Sequence, residues 1–199
     1  MTGRTLVDRT HALMRDEALS AATQLLLAGG YRGLRLQDVA DRIGVSRQTL
    51  YNEFGSKRGL AAALVLRLTE RFLDDIEAAL GSEDDLYAAW AAAVRLTIET
   101  AATDPLLKTL LTGVGSEEML PLLTTESEPV VQAARDRAGA YVMRRWPDLD
   151  PPDVTAAAEV ATRLAISHVV VPLHTAEFVA AQVATVVVRF LGHQTPDPG

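Results

Sequence analysis

Residues 34 to 58 read Leu34-Arg35-Leu36-Gln37-Asp38-Val39-Ala40-Asp41-Arg42-Ile43-Gly44-Val45-Ser46-Arg47-Gln48-Thr49-Leu50-Tyr51-Asn52-Glu53-Phe54-Gly55-Ser56-Lys57-Arg58, and the spacing has a mechanical interpretation. Val39, Ala40 and Ile43 give a short helix one buried face, and Ala40 is small enough to let a second helix cross close by. Gly44 supplies the left-handed conformation that ends this helix. Val45 plugs the turn into the core. Ser46 caps a second helix whose inward residues, Leu50 and Phe54, fall on one face. Two short helices joined by a turn of about three to four residues make a helix-turn-helix.

What the second helix leaves outside decides its chemistry. Arg47, Gln48, Thr49, Tyr51 and Asn52 are long or polar hydrogen-bonding side chains near the helix N-terminus. Arginine bonds guanine O6 and N7 in a bidentate way, glutamine and asparagine do the same with adenine N6 and N7, and threonine and tyrosine hydroxyls suit phosphates. The positive end of the helix dipole adds to the attraction for a phosphate backbone. The competing reading is an ordinary helical hairpin with a solvated face.

Every long segment has helical rather than strand spacing. Ala18, Ala21, Ala22, Leu25 and Leu26 form one face of a first helix, which Gly29 and Gly30 end. A long helix after Ser56 carries Ala61, Leu64, Val65, Leu68, Phe72, Ile76, Ala79 and Leu80, and stops at Gly81. Ser82 with Asp85 resembles a capping box for the next helix. Asp104-Pro105 and Asp150-Pro151 each place proline at a first helical position, and Thr125 or Ser127 caps another helix. A weak short helix is expected through Met119 to Leu123. Pro172 closes one late helix, and the last runs from about Thr175 to Leu191. The punctuation predicts an all-α fold of about nine helices, with a frayed tail over residues 192–199.

Composition sets limits. The chain has 199 residues, 48% of them apolar, enough for a real core. No apolar run approaches the roughly 20 residues of a membrane span, so no membrane association is expected. Cysteine is absent, which excludes disulfides and thiolate chemistry, and there is no secretory h-region, so the cytoplasm is the default compartment. The net charge of -7 argues against non-specific coating of nucleic acid. That total hides an asymmetry: residues 1–60 hold nine basic and six acidic side chains, and the remainder ten and twenty. Seventeen of the nineteen basic residues are arginine. GC-rich codon usage explains that bias as well as a binding role does.

The pattern Asp-Val-Ala-x-x-x-Gly-Val-Ser-x-x-Thr-Leu-Tyr-x-x-Phe-x-x-Lys-x-x-Leu from Asp38 to Leu60 resembles the tetracycline-repressor (TetR) family of one-component transcriptional regulators. The resemblance implies an N-terminal three-helix helix-turn-helix DNA-binding domain over 1–55 and a C-terminal helical ligand-binding and dimerisation domain over 56–191. It implies phosphate contacts from Thr49, Tyr51 and Lys57, and a major-groove face at Arg47, Gln48 and Asn52, with Ser46 at the helix start. Two positions depart from the pattern. Arg35 stands where the family commonly has a capping threonine; it loses the cap and keeps the reach to a phosphate. Glu53 replaces the usual histidine. A carboxylate there would repel phosphate, so it is expected to turn toward Arg58 or Lys57, or to accept from a cytosine amino group.

One helix-turn-helix is too small a footprint for useful specificity, so a homodimer is expected on a double-stranded, pseudo-palindromic operator. The apolar surface around Ala157, Ala161, Leu164 and Ala165, and around Val179, Val183, Val186, Val187 and Phe190, is wider than one stripe. These residues are expected to form a four-helix dimer interface that sets the recognition helices about 34 to 36 Å apart. Bulky side chains on the middle helices, Phe72, Trp90, Val94, Leu106, Leu110, Leu123 and Tyr141, are expected to line a cavity for an apolar or amphipathic small molecule, with Arg145, Thr97 or His168 as polar anchors. The stretch from Asn52 to Leu64 is also similar to regulators of lipid or hydrocarbon metabolism in the family, which implies a fatty-acyl effector. The long helix after Ser56 is then a lever between effector and recognition helix. Reversing a 1:99 population by ligand needs about 5.5 kcal/mol of differential affinity.

Enzyme chemistry finds little purchase. His168 and His174 are separated by Pro172, and no His-x-x-x-His pair occurs, so no metal site and no cofactor is expected. Gly113-Val114-Gly115 lacks the third glycine and the preceding strand of a dinucleotide fingerprint. Gly55-Ser56-Lys57-Arg58-Gly59 fits neither a phosphate-binding loop nor a nucleophile elbow. The alternative to a regulator is a helical small-molecule carrier or scaffold whose helix-turn-helix has lost its function.

Overall fold

The computed structural model describes residues 6–192; of the expected tail, only Gly192 falls among them. The described residues contain ten α-helices, one 3-10 turn and no strand. In chain order these are α1 (Leu6–Gly33), α2 (Leu36–Ile43), α3 (Arg47–Phe54), α4 (Lys57–Gly81), α5 (Leu86–Thr103), α6 (Pro105–Thr112) and α7 (Ser116–Met119). The 3-10 turn Leu120–Leu123 follows, then α8 (Glu128–Arg145), α9 (Pro151–Val170) and α10 (Ala176–Phe190). The chain divides into two compact units, one running to Arg67 and including Pro105–Leu122, the other made of Leu68–Asp104 and the chain from Leu123 onward. The division falls within α4.

In the first unit α1 packs against α2, α6 and α7, and α2 against α3. Leu26, Leu34, Val39, Ala40, Leu50, Leu60 and Leu64 are fully buried there. Each such leucine contributes roughly 1.5–3 kcal/mol relative to an exposed one. Ile43 and Val45, expected inside, are only half-buried; the inward face of α2 is Leu36, Val39 and Ala40. The first helix does not stop at Gly29 and Gly30. Helical bonding resumes to Gly33 across a break at Gly30, which takes φ 62°, ψ -171°. The break lets the Tyr31 amide donate to the Val114 carbonyl at 2.9 Å. A Cβ on Gly30 would lie 2.5 Å from that oxygen.

The second unit is built on α5, α8, α9 and α10. Helix α10 packs along α5, and α9 along α8. The core gathers Trp90, Val94, Val142, Val154, Val183 and Val187 with alanines at 157, 158, 161, 180 and 184, small side chains that let the helices approach closely. Asp85, not Ser82, caps α5: its carboxylate accepts from the Ala88 amide at 2.9 Å. Ser82 instead donates to the Ala79 carbonyl at 2.8 Å, closing the turn that ends α4. Thr175 caps α10 by accepting from the Phe178 amide. On the surface, Arg137 pairs with Asp74 and Glu77, and Arg144 with Glu77 at 2.6 Å. Exposed pairs of this kind add about 0–1 kcal/mol each. No helix among the described residues is long and apolar enough to cross a membrane.

Candidate nucleic-acid interface

The geometry of α3 follows from its punctuation. Gly44 ends α2 in the left-handed region at φ 71°, as its place in the turn requires. Ser46 adopts extended backbone, and its hydroxyl accepts from the Thr49 amide at 3.0 Å. That bond satisfies one of the donors that a helix start leaves without an intrahelical partner. The Ser46 and Thr49 hydroxyls also lie 2.8 Å apart. Leu50 and Phe54 are buried, while Ser46, Arg47, Gln48, Thr49, Tyr51 and Asn52 are all exposed. Within that face Gln48 Nε2 donates to Asn52 Oδ1 at 2.8 Å, one turn along the helix, which aligns the two amides.

Two residues flank this face. Arg35 is exposed at the N-cap position of α2 and makes no side-chain capping bond, in keeping with the loss expected of arginine there. Lys57, the first residue of α4, holds its Nζ 3.9 Å from the centroid of the Tyr31 ring. Burial pushes the Tyr31 hydroxyl above its ordinary pKa, and Glu118 adds to the rise while Arg58 opposes it. The phenol therefore stays neutral near pH 7, and the lysine meets a π face, not an anion. Arg32 pairs with Glu117 at 2.8 Å, and Arg58 donates to the Glu118 carbonyl at 3.4 Å. A hydrogen bond from its own backbone amide, with a second from Arg32, holds the Glu117 carboxyl below its usual value.

Glu53 turns neither to Arg58 nor to Lys57. Its Oε2 lies 2.5 Å from His11 Nε2, and its Oε1 accepts from Arg15 Nη1. Both partners sit on α1, far away in sequence and invisible to any local pattern.

The ten residues expected to line or anchor an effector cavity are spread over both units. Leu106 and Leu110 are buried in the first unit. Trp90 and Val94 are buried in the second, with Phe72 and Tyr141 packed against the same core. Arg145 is exposed and paired with Asp84 at 2.7 Å. Thr97 donates its hydroxyl to the Ala93 carbonyl at 2.9 Å. His168 is half-buried, its ring centroid 6.3 Å from that of His174. Leu123 lines an open cleft of 290 Å³ in the second unit, together with Val131, Ile166, Val170 and Arg163. That volume is just under the roughly 300–1,000 Å³ of ligand pockets. The indole Nε1 of Trp90 is buried with no hydrogen-bond partner. No cluster of three or more metal-ligating side chains occurs among the described residues.

The residues expected to pair two subunits divide by burial. Ala157, Ala161, Ala165, Val179, Val183 and Val187 lie in the subunit's own core, because α9 and α10 spend those faces on α5, α8 and each other. Leu164 is half-buried, whereas Val186 and Phe190 are 45% and 53% exposed. Val160, Val171, Leu173 and Phe178 are also exposed. Sequence spacing identified apolar helices but not which apolar side faces out.

The first unit thus presents a capped helix with a polar outer face. The family model for bacterial regulatory proteins of the tetR family matches residues 18–64, and that for the bacterial tetracyclin repressor C-terminal domain matches 85–189. The chain belongs to the TetR family and is a transcriptional regulator with a DNA-binding helix-turn-helix. It is 36% identical over 184 residues to the HTH-type transcriptional regulator AlkX of Mycobacterium tuberculosis, covering 92% of this chain and 87% of that protein. It is similar to the crystal structure of the TetR-family repressor AlkX of a Dietzia species, implicated in biodegradation of n-alkanes, with a TM-score of 0.74, 28% identity, and coverage of 88% of this chain and 96% of the other. The Rhodococcus erythropolis repressor QsdR shares the fold, with a TM-score of 0.70 at 16% identity over 94% of this chain and 99% of that one.

Proposed function

We propose that the chain is a cytoplasmic, homodimeric repressor that leaves a pseudo-palindromic operator when it binds an apolar or amphipathic small molecule, with a fatty-acyl compound as the leading class. The observation that carries the operator half is the exposed row Arg47, Gln48 and Asn52 on a helix capped by Ser46 and seated by Leu50 and Phe54. In this reading those three residues contact base edges, and Arg35, Ser46, Thr49, Tyr51 and Lys57 hold phosphates. Lys57 leaves the Tyr31 ring to do so, an exchange of a contact of about 0.5–1 kcal/mol for a charge-assisted one.

The effector half draws on similarity to a repressor implicated in n-alkane biodegradation. Oxidised alkanes and their acyl derivatives combine a long apolar chain with one polar end. The buried, unpartnered indole N–H of Trp90 is the donor we assign to that end; a donor left in that state costs about 1–3 kcal/mol, which an incoming acceptor recovers. Only two residues separate the end of α3 from the start of α4, so α4 transmits the change and the two half-sites are no longer held together.

The operator half is tested by selecting bound fragments from the parent genome with the purified chain. A recovered pseudo-palindrome, bound with an affinity that falls steeply between about 50 and 200 mM salt, supports the repressor; ligand binding with no preferred duplex supports a carrier. The effector half is tested by thermal shift across acyl chains and acyl-CoA esters. A shift in the native chain that is lost in Trp90→Phe is expected, and no shift with any member rejects the acyl class.

A further inference from the structure

Glu53 occupies the recognition helix directly after Asn52, yet it does not share the surface of its neighbours. Its side chain is only 9% exposed, while Tyr51 and Asn52 stand in solvent. Both of its oxygens are engaged from α1: His11 Nε2 stands 2.5 Å from one, and Arg15 Nη1 donates to the other. His11 and Arg15 are four residues apart and so lie on one face of α1. The Arg15 guanidinium also sits 5.2 Å from the centroid of the Phe54 ring, and Phe54 is itself buried. The last turn of α3 is therefore fastened to α1 by an ionic contact at Glu53 and a cation–π contact at Phe54 that share one arginine.

A carboxylate with both oxygens engaged and only 9% of its side chain exposed is poorly placed to accept from a cytosine amino group and presents little charge to a phosphate. We propose that Glu53 is a positioning residue for operator recognition: through His11 and Arg15 it fixes the end of the recognition helix on α1 and so sets the angle at which Arg47, Gln48 and Asn52 enter the duplex. The eight-residue helix is seated by Leu50 and Phe54, and Arg15 braces Phe54 as well as Glu53; loosening these ties lets the far end shift and moves the reading residues off the base edges they would contact. The proposal rests on the operator-binding reading above.

The test uses the full chain, the selected operator duplex and a panel of duplexes altered at each half-site position, with binding followed by fluorescence anisotropy. Glu53→Gln, His11→Ala and Arg15→Ala should each weaken the selected operator about three- to tenfold and the altered duplexes by less, flattening discrimination at the positions that Arg47, Gln48 and Asn52 read, and Arg15→Ala combined with Glu53→Gln should be less than additive, as for residues of one network. The base preferred at each position should not change. The reversed pair, Arg15→Glu with Glu53→Arg, should bind more tightly than either of its single substitutions; this arm carries the test if Glu53→Gln fails to fold. A changed base preference in Glu53→Gln alone would make Glu53 a reader, tighter binding to all duplexes would make it a phosphate repellent, and unaltered affinity in all variants would leave it without a role in recognition; each overturns the proposal. A native chain that prefers no duplex fails at an earlier step and overturns the operator-binding reading as well.

Discussion

The Tyr31 amide donates to the Val114 carbonyl across 2.9 Å, which joins the end of α1 to the turn between α6 and α7. Gly30 makes this approach possible, because it holds a φ of 62° with ψ near -171°, a combination that only glycine adopts without strain. Gly30→Ala should destabilise the protein by about 1–3 kcal/mol from the backbone conformation alone, and by more from the contact with Val114. Urea denaturation compared with Gly29→Ala, where an added Cβ meets nothing within 4 Å, isolates the effect; equal midpoints would show that the turn is not under this constraint.

Ser46→Ala removes the side-chain acceptor for the Thr49 amide. The expected cost is about 1 kcal/mol, with Ser46→Gly costing only a few tenths. Equilibrium denaturation reads the difference directly, and equal stability of the alanine and native chains would mean that water or Thr49 replaces the cap at no cost.

Arg47→Ala and Lys57→Ala should separate reading from holding. Loss of Arg47 is expected to cost about 1–3 kcal/mol on the selected operator and to relax preference at one position per half-site. Loss of Lys57 should weaken all duplexes alike and lower the slope of log affinity against log salt by about 1. Titrations at several salt concentrations distinguish the two. A uniform loss from Arg47→Ala would remove it from the base-reading set.

Val186 and Phe190 are four residues apart on α10 and exposed, so they form one outward apolar strip where a second copy would pack. A double substitution to aspartate should yield a monomer at micromolar concentration with little change in thermal stability, since neither side chain belongs to the subunit core. Val187→Asp, in the core, should instead unfold the protein. Sedimentation velocity and melting measurements check both. A dimer that survives the double substitution would place the contact elsewhere.

The order and type of the helices were legible because their punctuation is local: Gly44, Ser46, Asp104-Pro105 and Asp150-Pro151 each act within one turn. Where two candidates stood side by side the nearer pattern misled, as at Ser82 and Asp85, since a hydroxyl can equally close the preceding helix. The outward row of α3 was readable for the same local reason. The partners of Glu53 were not, because His11 and Arg15 meet it only after α1 folds back over α3. Nor was the division of apolar residues on α9 and α10: Val186 and Val187 are adjacent and chemically identical, and only the placement of α5 buries one of them. The bulky residues of the middle helices shared a character and not a location, which is why Leu106 and Leu110 fall in a different unit from Trp90 and Val94.

The segment Pro105–Leu122 is read late in the chain but completes the early unit, covering α1 with Leu106, Leu110 and Met119. A chimera that transplants the opening sixty-seven residues onto a foreign sensor would therefore inherit an uncovered apolar flank and should aggregate unless the later segment is transplanted with them. Exchange of operator preference between such regulators by recombination would need two crossover tracts inherited together.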